Sequence, residues 1–89
     1  MISTQDKQQI IEIAQKYQAA RVFLFGSSID PHRTPKDIDL AVEGLPDNLF
    51  FKFWGELIFA LSKPVDLIDL KRETRFTEII RAEGLLLFG

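Results

Sequence analysis

Arg21-Val22-Phe23-Leu24-Phe25-Gly26-Ser27-Ser28, followed by Asp37-Ile38-Asp39-Leu40-Ala41-Val42, is the stretch on which the fold turns. The first part is a mostly apolar run stopped by a glycine, which predicts a buried strand over about 21–25. The second alternates with period two. It predicts a strand whose Ile38, Leu40 and Val42 fill a core while Asp37 and Asp39 project together from the other face. Residues 28–36 hold Asp30-Pro31 and Thr34-Pro35 and predict a loop. Working outward, Ile10, Ile11, Ile13, Ala14 and Tyr17 recur at helical spacing behind Ser3 and Thr4, for a helix over about 4–19. Gly44-Leu45-Pro46-Asp47 is a turn, with Asp47 as the expected N-cap of a very apolar helix over about 47–62 that Pro64 ends. Val65-Asp66-Leu67-Ile68-Asp69-Leu70 predicts a third strand. Thr74 caps a short helix to about residue 83, and Leu85-Leu86-Leu87-Phe88 is a last short strand. The order αββαβαβ predicts an α+β fold, a mixed sheet of about four strands packed with three helices.

The 89 residues suit one domain, 1–89, with no room for a second. Eleven basic and thirteen acidic residues give a net charge of −2, which argues against autonomous nucleic-acid binding. The chain has no cysteine and only one histidine, His32, so zinc fingers, thiol nucleophiles and multi-histidine metal sites are excluded. No apolar run is long enough to span a membrane, and Met1-Ile2-Ser3-Thr4 does not open a secretory signal. The cytoplasm is the expected compartment.

Three signals carry chemistry. Gly26-Ser27-Ser28 directly after a strand lets backbone approach a phosphate closely and adds two hydroxyls; alone, such a pair is a plain turn. Asp37 and Asp39 on one strand face repel each other, and a hard divalent cation such as Mg²⁺ removes that repulsion; alone, they are an exposed acidic edge. Asp66 sits in an aliphatic run and needs a reason to be there. Asp69 points to the other face and reads as a strand-end residue. Together the signals describe a two-metal phosphoryl-transfer site.

Gly26-Ser27, nine intervening residues and Asp37-Ile38-Asp39-Leu40 resemble the signature of the DNA polymerase β-like nucleotidyltransferase superfamily. With Val65-Asp66-Leu67, the chain is similar to its smallest members, the minimal nucleotidyltransferases, from about Val22 to Phe88. The resemblance implies a nucleotidyltransferase fold in which Gly26 and Ser27 hold the triphosphate of ATP. Asp37 and Asp39 would bind the metal that escorts it. Asp66 would join them on a second Mg²⁺ at the acceptor hydroxyl. It also implies AMP transfer to a tyrosine of a HEPN-domain toxin, with this chain as the antitoxin. Ser28, Asp30 and Pro31 stand where many minimal members carry basic residues or glycine, and Lys36 where many carry serine. Ser28, Arg33 and Lys36 complete the expected nucleotide-binding set. The alternative is a weakened or inactive member that acts only by binding its toxin. A small-molecule or RNA acceptor would need a second polypeptide.

The 47–62 helix has more apolar residues than one buried face can take. Leu49, Phe50, Phe53, Trp54, Leu57, Ala60 and Leu61 form the expected core arc. Phe51, Ile58 and Phe59 fall at or beyond its edge and are expected to form a dimer or partner surface.

Overall fold

The first helix, α1 (Thr4–Tyr17), starts where the Ser3 side chain accepts the Asp6 N–H, and it ends at Gln18, which turns left-handed with φ 57°. The computed structural model describes residues 1–89. It continues with β1 (Arg21–Leu24), a short 3-10 turn (Gly26–Ile29), β2 (Ile38–Glu43), α2 (Asp47–Ala60), β3 (Val65–Asp69), α3 (Arg75–Glu83) and β4 (Leu85–Phe88). The predicted order of elements is the observed one. The strands form one mixed sheet in the order β3-β2-β1-β4. β1 runs antiparallel to β2 and β4, whereas β2 and β3 are parallel.

Period-two alternation sorts the two faces of this sheet. Val22, Leu24, Ile38, Leu40, Val42, Val65 and Leu67 pack against Ile10, Ile13 and Ala14 of α1 and Phe53 and Leu57 of α2. The opposite face carries Phe23 and Ala41, which pack only with Leu70, Ile80 of α3 and the half-buried Phe25 and Ile68. That second face is thinly covered, and its strand positions include Asp39 and Asp66.

Most elements shift by one or two residues from expectation, and both ends of α2 differ in kind. The N-cap of α2 is Pro46, with no side-chain cap; Asp47 is the first helical residue and pairs with Lys71 at 2.9 Å. The same helix stops at Ala60, which is exposed rather than core. Its end is set from a distance, because the Ser62 backbone N–H donates to Asp6 Oδ1 and the Ser62 hydroxyl to Asp6 Oδ2. Asp6 is 5% exposed, so this carboxylate ties α1 to the end of α2 in a largely dry site. Hydrogen bonds to a charged group contribute about 1.5–3 kcal/mol. Asp6→Ala is therefore expected to destabilise the fold by about 2 kcal/mol, read as a lower urea midpoint at unchanged m-value.

Candidate active site

Asp39 lies in β2 directly beside Asp66 of β3 in the parallel register, so both carboxylates leave the thinly covered face side by side. Asp37 stands just before β2 and is exposed. Asp39 itself is half-buried. Burial, then the Asp66 charge, then the Asp37 charge hold its carboxyl above the usual carboxylate range. The charges of Asp66 and Asp37 therefore both reach Asp39. No set of three or more acidic or histidine side chains converges tightly enough to hold a metal ion by itself. Mg²⁺ takes one or two carboxylates and completes its shell with phosphate oxygens and water. The hard oxygen donors of Asp37 and Asp39, with repulsion to be relieved, fit that demand.

The Gly26-Ser27-Ser28 turn is locked to β2. The Phe25 N–H donates to the Asp39 carbonyl at 3.1 Å, continuing the ladder one residue past β1. Gly26 then takes φ +65°, and a Cβ placed there would stand 2.8 Å from Asp39 Oδ2. Glycine is thus required twice, by the left-handed backbone and by the carboxylate against it.

Ser28 departs from its expected role at the nucleotide. It is fully buried; its hydroxyl donates to the Asp37 carbonyl at 3.2 Å and accepts the Asp39 N–H at 3.1 Å. The side chain is spent on holding the two acids in place. Ser28→Ala is expected to cost about 1–3 kcal/mol, because it leaves the Asp39 N–H of β2 and the Asp37 carbonyl just before it without their partner. Ser27→Ala should leave the melting temperature unchanged, so the pair separates the two serines in one thermal-denaturation experiment.

Ser27, Arg33, Thr34, Pro35, Lys36, Asp37 and Asp39 line one polar cleft of about 340 Å³. Five of the residues expected at the site from sequence are therefore neighbours here; Thr34 and Pro35 were not expected. Asp66 does not line the cleft but flanks it through Asp39. Arg33 and Lys36 make no ion pair in the fold, which leaves both charges available at the cleft. Their loop is anchored. Asp30 Oδ1 accepts the His32 N–H, the Met1 amine donates to the carbonyls of Asp30 and Arg33, and Lys63 Nζ donates to the carbonyl of buried Pro35. His32 is an exposed loop residue, as expected. Gly26 also borders a second hollow of about 340 Å³, largely apolar, with Phe25, Phe76, Ile79 and Glu83 in its wall. Phe25 shares the strand face of Phe23, and that alternation is its only sequence signal.

A mixed sheet with a Gly-Ser turn after β1 and acids on β2 and β3 is the architecture of a nucleotidyltransferase. The family model for polymerase beta nucleotidyltransferases matches residues 8–89, and the chain belongs to that family. No curated protein sequence matches it significantly. Among solved structures, it is similar to a toxin-antitoxin with AMP-PNP. That match has 26% identity over 93% of this chain and 73% of the other, and a TM-score of 0.76. It is also similar to the toxin-antitoxin MntA-HepT, at 25% identity over 98% of this chain and 73% of that one, with a TM-score of 0.72. A Shewanella oneidensis protein, 22% identical over 99% of this chain and 73% of the other with a TM-score of 0.74, shares the fold. The first two likenesses are to toxin-antitoxin structures, and the third shows the fold alone. No helix of the chain is long and apolar enough to cross a membrane.

Proposed function

We propose that this chain is a single-domain, Mg²⁺-dependent antitoxin that transfers AMP from ATP to a tyrosine hydroxyl of a HEPN-type toxin in the cytoplasm. The observation that carries this is the polar cleft in which Ser27, Arg33, Lys36, Asp37 and Asp39 meet. Gly26 allows the phosphate chain to approach the backbone beside Asp39, and Ser27 offers it a hydroxyl. Arg33 and Lys36 attract its negative charge. Asp37 and Asp39 hold the metal, and Asp66, in register with Asp39, serves the acceptor side. When bound, Mg²⁺ polarises the phosphoryl oxygens and neutralises the charge that develops on them. The acceptor oxygen forms a bond to the α-phosphorus, the bond to pyrophosphate breaks, and the hydroxyl proton leaves to solvent. The outer face of α2 is assigned to association with a second copy.

The test is incubation of the chain with α-labelled ATP, Mg²⁺ and a HEPN-type toxin. Label on a toxin tyrosine with release of pyrophosphate is the expected result. A stable complex without transfer would favour the binding-only antitoxin, which the absence of basic residues at Ser28 and Asp30 supports. Neither transfer nor complex would overturn both readings.

A further inference from the structure

Gly55 stands in the middle of α2, and a Cβ built on it would meet nothing within 4 Å. Glycine is among the least favourable residues in a helix interior. Here no positive φ and no close neighbour in the chain calls for it. One helical turn to either side stand Phe51, 75% exposed, and Phe59, 93% exposed, with Ile58 beside them at 54%. At 100° per residue, Phe51, Gly55, Ile58 and Phe59 share an outer face of α2 about 100° wide. None of them is charged.

Building on α2 as an association surface, we infer that a second copy of this chain packs α2 against α2, antiparallel, with the two-fold axis at Gly55. The spacing is symmetric about that glycine, since positions 51 and 59 each lie four residues from it. A two-fold axis there sets Phe51 of one copy against Phe59 of the other, and the reverse, as an isologous interface requires. The missing side chain lets the two backbones approach at the crossing, where a larger residue would hold them apart. Charge agrees with this arrangement. Lys52 and Glu56 follow each other along one flank of the face, where Glu56 already pairs with Lys16 of its own copy at 2.7 Å, so the second copy's lysine would be a further partner. The two-fold keeps that flank on the same side, so Lys52 of one copy lies within about 3 Å of axial rise of Glu56 of the other, while the two lysines stand about 9 Å apart along the axis. Area agrees as well. With about 200 Å² per phenylalanine, the three apolar side chains leave roughly 400 Å² uncovered in each copy. Two such faces bury roughly 800 Å², and the flanking residues raise that toward the range of about 1,200–2,000 Å² typical of specific interfaces.

The chain has no cysteine, so single thiols report the geometry cleanly. The full chain is expected to sediment as a dimer. Phe51→Cys and Phe59→Cys proteins, mixed and oxidised, should give mostly the mixed crosslink, with far less of either like–like product. Gly55→Ala should raise the dimer dissociation constant at least tenfold. It should also raise the melting temperature of the dilute monomer, because alanine favours the helix; a glycine with only a local role would produce the second effect without the first. A monomer at the highest soluble concentration overturns both the association surface and its geometry. A dimer with like–like crosslinks, or one indifferent to Gly55→Ala, overturns the geometry alone. AMP transfer is measured separately and does not bear on either outcome.

Discussion

Asp39→Asn is expected to lower AMP transfer by about a thousandfold while making the unliganded protein more stable. The loss follows from position. Asp39 is the acid shared by the polar cleft and the Asp66 register pair, and deleting one electrostatic group at a reacting centre costs about 10²–10³ in rate. The gain follows from charge. Burial and two neighbouring carboxylates hold the Asp39 carboxyl above its ordinary range, so the ionised form opposes folding. The sign is fixed by linkage. The penalty is absent below the unfolded-state value, grows as pH rises, and is complete above the raised folded value. Like charges side by side in a sheet cost about 0.2–1 kcal/mol, which for a domain of this size is a rise of roughly 1–8 °C in melting temperature for the asparagine variant. The stabilisation should be seen at neutral pH and vanish in acid. Addition of Mg²⁺ and ATP should stabilise the wild type by mass action and the variant much less. Thermal scans with and without ligand, beside a transfer assay, check all of these. A variant that loses activity and also melts lower at neutral pH would mean that Asp39 is a structural acid.

What was legible in the sequence was what local periodicity carries. Alternation over 37–42 placed Ile38, Leu40 and Val42 in the core and the acids on the other face, and the clusters on the two faces of the sheet bear this out. Proline and glycine located the turns, and the surplus of apolar residues on α2 identified the exposed Phe51, Ile58 and Phe59. What was not legible depends on partners distant in the chain. Asp6 reads as an ordinary first-turn acid, and only the fold brings it to Ser62, 56 residues on. Ser27 and Ser28 are indistinguishable in sequence. The turn of the 3-10 backbone sends the Ser28 hydroxyl into the core between Asp37 and Asp39, while Ser27 stays at the cleft. Asp47 has the chemistry of a cap, but the preceding Pro46 takes that place and leaves Asp47 free to meet Lys71.

Gly26→Ala is expected to reduce transfer about a hundredfold with a modest loss of stability, and to do so through Asp39. A non-glycine residue in the left-handed region costs about 1–2 kcal/mol. The new methyl would stand 2.8 Å from Asp39 Oδ2, closer than a real contact allows, so the carboxylate must rotate away. A displacement of about 1 Å at a reacting centre can cost a hundredfold in rate. This cause differs from loss of phosphate contact, and a double-mutant cycle separates the two. If the methyl acts by moving the carboxylate, Gly26→Ala adds nothing to the transfer defect of Asp39→Asn, because both changes remove the same interaction. If it acts by blocking the phosphate chain, the defects multiply. Stability gives a second reading, since asparagine in place of Asp39 carries no charge and can turn aside more easily. The melting penalty of Gly26→Ala should therefore shrink in the Asp39→Asn background toward the backbone cost alone. A full multiplicative loss of activity with an unchanged melting penalty would assign Gly26 to the nucleotide rather than to the acid beside it.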